Sequence, residues 1–78
     1  MPSDAPASFA ELLTHWRTRG GWTRGEVAVA AGISTQFVTY LETGARRPSD
    51  ETVERLITAL DLKPRTASLF RRVATAER

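Results

Sequence analysis

The stretch Thr23–Gly44, TRGEVAVAAGISTQFVTYLETG, contains the start and stop signals of two short helices joined by a tight turn. Glu26 follows Thr23 by three residues, the spacing of a capping box, in which each side chain satisfies a backbone N–H at the start of a helix. Gly32 can end the first helix in a left-handed conformation without a Cβ clash. Ser34 is placed to cap the second helix, which we expect to span about residues 35–43 before Gly44 ends it.

The residues of these two helices indicate how they pack. Alanines on the first helix leave little bulk, so that the second can cross it closely. Two helices joined by a short glycine-containing turn form the helix-turn-helix layout. On the second helix Val38 and Leu41 define an inward side, and the polar residues on the other flank are Thr35, Gln36, Thr39 and Tyr40. Their amide, hydroxyl and phenol groups are of the kind that read base edges in DNA.

Three further helices are predicted outside this stretch. Apolar residues recur at the i, i+3, i+4, i+7 spacing of one helix face in residues 9–16 and again in residues 53–60. Ser8 and Ser49 precede these runs at capping positions, and Pro64 is suited to the first turn of a fifth helix. The predicted fold is therefore all-α, a compact bundle of about five helices. The predicted core comprises Phe9, Leu12, Leu13, Trp16, Val27, Ala31, Ile33, Val38, Leu41, Val53, Leu56, Ile57, Leu60, Leu62, Leu69, Phe70 and Val73.

The 78 residues are enough for one small domain. We expect a disordered lead in residues 1–7, the domain in residues 8–74 and a tail in residues 75–78. The chain has no cysteine and one histidine, so disulfides and a thiolate metal site are excluded. It also has no nucleophile–base spacing and no glycine-rich phosphate loop, so we expect no enzymatic activity, metal or cofactor. Because no apolar run is long enough for a membrane span or a signal segment, we expect a cytoplasmic protein.

The charges are unevenly distributed, although the formal net charge is only +2. Residues 15–47 carry five arginines and two glutamates, and residues 63–78 carry five basic residues and one glutamate. An acidic segment lies between them, in residues 48–62. One face of the protein could therefore meet a polyanion. A mixed, solvated surface is the alternative, and charge alone does not decide between them.

Two segments of the sequence carry a family resemblance. WTRGEVAVAAGIS at residues 22–34 and VTYLETGARRPSDETVERLITALDL at residues 38–62 resemble the lambda-repressor/Cro-like, or Xre, helix-turn-helix family. The resemblance extends over about residues 9–74. It implies a compact bundle of about five helices that binds operator DNA.

The resemblance also implies roles for individual residues. It makes Thr35, Gln36 and Tyr40 base-edge readers, with Thr39 at the boundary. The candidate contacts to the DNA backbone are Arg19, Thr23, Arg24, Phe37, Arg46 and Arg47. A solvated face is the alternative for the arginines. The family also pairs an arginine with a glutamate at the positions of Arg17 and Glu42, which predicts an ion pair between the first and third helices.

Two positions depart from the family pattern. The family commonly has a glutamine that holds a DNA phosphate where this chain has Arg24. Because arginine binds phosphate bidentately, we expect the contact to be kept with a stronger dependence on salt. Phe37 stands where many relatives have a small polar residue. It either packs on a sugar or a thymine methyl or covers the preceding helix, and we favour the second because aromatic residues at helical spacing usually belong to the core.

The sequence thus predicts a sequence-specific regulator of transcription that binds double-stranded DNA. Homodimerisation is expected through the fifth helix, since Leu69, Phe70 and Val73 exceed what the docking of one short helix needs. The alternative is an antitoxin or another module that binds a protein partner on the same fold. The polar face of the third helix argues against it, because the centre of a protein-binding surface tends to be rich in aromatic residues.

Overall fold

The computed structural model describes residues 8–77, which form five α-helices and no strand. The helices are α1 Phe9–Arg19, α2 Arg24–Ala31, α3 Thr35–Thr43, α4 Asp50–Ala59 and α5 Pro64–Ala76. The all-α fold of about five helices is confirmed, and α3 has the predicted bounds. Residues 1–7, for which we predicted a disordered lead, lie outside the described residues.

The helix starts follow from residues next to them in the sequence. The hydroxyls of Ser8, Thr23, Ser34 and Ser49 each accept a hydrogen bond from the backbone N–H three residues on, at 3.0 to 3.2 Å. Each bond satisfies an N–H group that has no partner within the helix. Helix α5 begins instead with Pro64, which has no N–H to satisfy.

The turn between α2 and α3 depends on one glycine. Gly32 has φ of 71°, in the left-handed region where a Cβ is strained. The N–H of Ile33 then donates to the carbonyl of Ala28 at 3.0 Å, which closes α2. Ser34 begins α3 immediately afterwards, so that α3 crosses α2 without an intervening loop.

The helices surround a single core. Helix α2 packs against α3 and α4, and α5 packs against α1 and α4. The rings of Phe9 and Phe70 meet edge to face across the α1–α5 contact, with 5.5 Å between centroids. Three alanines, Ala28, Ala67 and Ala74, are also buried, although we did not predict them as core. Four predicted core residues are only partly buried, namely Trp16, Ile33, Leu62 and Leu69.

The apolar side chains of α5 are buried more deeply in the core of this chain than the sequence suggested. Phe70 is 0% and Val73 is 6% exposed, because both fill the core. They are therefore not available to a partner, and of the three apolar residues expected to mediate a dimer only Leu69 stays partly exposed. The helix continues through Ala76, beyond the predicted end of the domain at residue 74. Oε2 of Glu77, the residue that follows the helix, accepts a hydrogen bond from the N–H of Phe9 at 2.8 Å.

Candidate nucleic-acid interface

Helix α3 presents a polar flank because its apolar residues point inward. Val38 is 0% and Leu41 is 1% exposed. Thr35 and Gln36, on the first turn, are exposed. Thr39 and Tyr40, one turn later, are half-buried at the edge of the same helix. The four predicted base-reading residues therefore form a continuous group, and its outermost members lie at the N-terminal end of α3.

Three side chains in and after α3 contact one another in series. Nε2 of Gln36 donates a hydrogen bond to the hydroxyl of Tyr40 at 2.6 Å. The guanidinium of Arg46 lies over the Tyr40 ring, 5.8 Å from its centroid. The N–H of Arg46 also donates to the Tyr40 carbonyl at 3.2 Å. These contacts hold an amide, a phenol and a cation in fixed order along one edge of α3.

The two threonines of the polar flank are also linked. The hydroxyl of Thr39 donates to the carbonyl of Thr35 at 3.3 Å, within the helix. A hydroxyl bonded to the carbonyl four residues earlier still has lone pairs with which to accept. Thr39 therefore offers a ligand an acceptor and a methyl group more readily than a donor.

The starts of α2 and α3 lie side by side. A Cβ placed on Gly25, in the first turn of α2, would lie 3.8 Å from Oγ1 of Thr35. Backbone N–H groups at helix N-termini attract anions, and here two such ends are neighbours. Thr23, which caps α2, is exposed at the same end. This end of the molecule therefore combines polar side chains with the partial positive charge of two helix starts, which the exposed carboxylate of Glu26 partly offsets as it accepts from the N–H of Thr23 at 2.8 Å.

One carboxylate joins three helices beneath this surface. The Glu42 side chain, on α3, is 1% exposed. Its Oε1 accepts from Nη2 of Arg17, on α1, at 3.0 Å and from Nε of Arg24, on α2, at 2.9 Å. Nε of Arg17 donates to Oε2. Arg17 also donates from Nη1 to the carbonyl of Trp22 at 3.0 Å, so its guanidinium is held on two sides.

The balance of charge makes this cluster cationic. Burial by itself would raise the pKa of Glu42, but the hydrogen bonds and charges of Arg17 and Arg24 outweigh it, so the pKa of Glu42 lies below its ordinary value. The carboxylate is ionised at neutral pH, and two arginines with one glutamate leave a net positive charge. Arg24 carries this charge toward solvent, since its side chain is 41% exposed whereas that of Arg17 is 13% exposed.

The other predicted backbone contacts have different surroundings. Arg46 and Arg47 are exposed in the segment after α3. Arg19 is exposed at the end of α1, with its guanidinium 5.6 Å from the centroid of the Trp16 ring. Phe37 packs partly against the core, and its N–H donates to the Ser34 hydroxyl at 3.0 Å. A phenyl ring has no polar atom, so a contact from Phe37 to DNA would have to be apolar.

The hydrogen bond between Arg24 and Glu42 is one contact of this site that the sequence did not predict. The family resemblance suggested Arg17 as the partner of Glu42 and assigned Arg24 to a phosphate, with no link between them. Arg24 and Glu42 are 18 positions apart in the sequence, a separation that gives no periodic signal. Only the packing of α2 on α3 brings the two side chains together.

Within residues 8–77 no group of three or more metal-binding side chains is close enough to hold an ion. The same residues include no helix with the length and apolar character that would be needed to span a bilayer.

Comparisons with known proteins agree with this fold. Three HTH-type transcriptional regulators, one of Mycobacterium bovis and two from strains of Mycobacterium tuberculosis, are each 43% identical to this chain over 47 residues. The alignment covers 60% of this chain and 18% of each relative, so the chain corresponds to a small part of those proteins. A family model described as a helix-turn-helix domain matches residues 8–70, nearly the whole described range. The resemblance to Xre-like domains is thereby confirmed, and the chain belongs to the helix-turn-helix domain family.

Proposed function

We propose that this chain is a DNA-binding regulator of transcription that recognises a specific sequence by inserting α3 into the major groove. The observation that carries the proposal is the polar flank of α3, formed by Thr35, Gln36, Thr39 and Tyr40 and flanked by Arg24 and Arg46. A helix is about 10–12 Å wide with its side chains, and the major groove is about 12 Å wide, so α3 fits the groove. The regulators from Mycobacterium that match this chain support the role in transcription.

The phosphate contacts follow from the same docking. With α3 in the groove, the adjacent starts of α2 and α3 meet one DNA backbone, where their N–H groups and the exposed guanidinium of Arg24 bind phosphate oxygens. Nε of Arg24 is committed to Glu42. Its two terminal nitrogens then serve as the fork toward phosphate. Arg46 and Arg47 supply further cations beyond the other end of α3.

Gln36 is the residue proposed to discriminate most between bases. It lies on the first turn of α3, the end of a recognition helix that contacts base edges. Its amide offers a donor and an acceptor together, which matches the N7 and N6 groups of adenine in the major groove. The bidentate pair is worth about 1–3 kcal/mol of discrimination.

The experiment that tests this function is the selection of bound sequences from a random pool of DNA duplexes, with the full chain as bait. An enriched motif would support the proposal, and Gln36→Ala should remove the preference at one base pair of that motif. Thr58→Ala, which removes an exposed hydroxyl on α4, is the matched control and should leave the motif unchanged. A pool without enrichment, or equal losses for both variants, would contradict the proposal.

Homodimerisation through α5 remains a prediction. Leu69 is the predicted contact residue that stays partly exposed. A dimer would bind two half-sites about one DNA turn, ~34 Å, apart, so the selected motif should be a palindrome with that spacing. Sedimentation of the protein with and without Leu69→Glu checks the interface. A monomeric mass for both proteins would contradict it.

One observation favours the second candidate, a module that binds a protein partner, as an antitoxin does. Val29 on α2 is 84% exposed, the one large hydrophobic residue so exposed in the described part of the chain. It lines a shallow groove that also includes Trp22, Gly25 and Ala30 and three polar residues, Thr23, Glu26 and Thr35. If Gln36→Ala had no effect on DNA binding but Val29→Asp abolished recovery of a protein encoded by an adjacent gene, this second function would be favoured.

A further inference from the structure

We propose that Tyr40 is a positioning residue, whose hydroxyl fixes the amide of Gln36 in the orientation that reads adenine. This inference rests on the proposed function and deepens it. The observation behind it is the hydrogen bond of 2.6 Å from Nε2 of Gln36 to the hydroxyl of Tyr40. The two residues are four apart on α3, the separation at which helical side chains are neighbours.

The direction of this hydrogen bond decides what Gln36 presents to DNA. A glutamine amide has two N–H donors on nitrogen and an acceptor oxygen. One N–H points to Tyr40, which leaves the second N–H and Oε1 facing outward side by side. Adenine presents the complementary pair, the N7 acceptor and the N6 donor. With the amide turned over, Oε1 would accept from the Tyr40 hydroxyl, and the outward donor and acceptor would exchange places, so that they would no longer face N7 and N6 of adenine in this order.

Tyr40 is itself restrained, as a positioning residue must be. Its ring is half-buried at the edge of α3, and the guanidinium of Arg46 covers one face. A glutamine without such a partner loses its rotamer freedom only when it binds DNA. Ordering one such side chain lowers affinity by about 2- to 12-fold, equivalent to about 0.5–1.5 kcal/mol. The hydrogen bond to Tyr40 already orders the Gln36 side chain in the free protein, so part of this entropic cost of binding is removed.

The test compares three variants of the full chain, Gln36→Ala, Tyr40→Phe and the double variant, in parallel selections from the random duplex pool. Tyr40→Phe keeps the ring under Arg46 and removes only the hydroxyl. We expect Gln36→Ala to reduce the preference for adenine at one base pair by about 5- to 150-fold. Tyr40→Phe should reduce the preference at the same base pair by about 2- to 12-fold. The double variant should lose no more than Gln36→Ala. Circular dichroism melting curves check that every variant is folded.

Two duplexes with altered adenines measure the geometry directly. Replacing the adenine of the selected motif by 7-deazaadenine removes the N7 acceptor, and N6-methyladenine places a methyl group at the major-groove edge. Both should weaken binding of the unaltered protein and leave binding of Gln36→Ala unchanged. Tyr40→Phe should respond to each less than the unaltered protein does.

Several results would overturn the inference. A loss at a different base pair in Tyr40→Phe would make Tyr40 a direct base reader, and additive losses in the double variant would mean that the two residues act independently. A preference for guanine at the position of Gln36 would mean that Gln36 meets the base with donors alone and not with the donor and acceptor described above. Each of these leaves the proposed function intact. If the unaltered protein enriches no sequence, the proposed function fails and this inference fails with it.

Discussion

Replacing Glu42 by glutamine removes the charge from a carboxylate enclosed between two arginines and keeps the size of the side chain. Glu42 accepts hydrogen bonds from Nε and Nη2 of Arg17 and from Nε of Arg24. With Glu42 at 1% and Arg17 at 13% exposure, the substitution leaves a nearly buried guanidinium without its counter-charge. Breaking one partner of a buried pair costs about 3–5 kcal/mol. We expect the lower end, since the amide oxygen still accepts and solvent screens the more exposed Arg24.

This loss is large relative to the stability of so small a protein. At about 0.05–0.15 kcal/mol per residue, the chain has a free energy of unfolding of about 4–12 kcal/mol. A loss of about 3 kcal/mol lowers the melting temperature by about 12 °C or more in a domain of this size. Thermal unfolding followed by circular dichroism at neutral pH measures the shift.

A matched control lies on α4. Glu54 accepts from Nε and Nη2 of Arg71, at 2.6 and 2.9 Å, so it also forms a bidentate pair between two helices. Both side chains of this pair are about half exposed, Glu54 at 53% and Arg71 at 51%. Because water and salt screen this pair, Glu54→Gln should hardly change the melting temperature. An unchanged melting temperature in Glu42→Gln, or equal shifts in both variants, would refute the reasoning from burial.

Three further outcomes are expected. Because folding lowers the pKa of Glu42, this residue contributes its full stabilisation above the ordinary glutamate pKa of about 4.3. The stabilisation is lost as pH falls through the lower pKa of the folded state. Glu42→Gln should therefore lose less stability than the unaltered protein when both are titrated with acid over this range. Arg24→Ala should flatten the slope of log K against log salt by about 0.9 for all DNA sequences alike, whereas Arg65→Ala on α5 should not, and equal slopes for both variants would place Arg24 outside the phosphate contacts. Gly32→Ala should destabilise the protein by about 1 kcal/mol or more in urea titrations, since φ is 71° and the new Cβ would lie 3.3 Å from a guanidinium nitrogen of Arg55. Gly25→Ala, whose Cβ meets nothing closer than 3.8 Å, should instead be neutral or stabilising by up to about 1 kcal/mol, and equal losses at both glycines would contradict the argument.

The helix boundaries and the fold were predictable because their signals are local. Ser8, Thr23, Ser34 and Ser49 each act on a backbone group three residues away, and Gly32 determines its own backbone conformation. Such signals survive in a sequence without knowledge of distant contacts. Ala67 and Ala74 gave no comparable signal, because the small side chain of alanine fits either face of a helix.

The contacts that shape the candidate site were less predictable. The hydrogen bond of Arg24 to Glu42 and the position of Arg46 over Tyr40 depend on how the chain packs after the helices have formed. The burial of Phe70 depends on the space that α1 and α4 leave for α5. A pattern of apolar spacing shows which face turns inward but not how deeply it is covered. For that reason the sequence overestimated the apolar surface that α5 offers to a partner.

The hydrogen bond between Phe9 and Glu77 makes one amide a reporter on a distant part of the chain. Phe9 is the first residue of α1, where a backbone N–H has no partner within the helix and would exchange rapidly with solvent. Its partner here is a carboxylate 68 residues away, beyond the end of α5. The N–H of Phe9 is therefore protected from deuterium exchange only while the end of α5 is docked. Its exchange rate measures the opening of that helix, separately from the unfolding of the α2–α3 unit that is proposed to meet DNA.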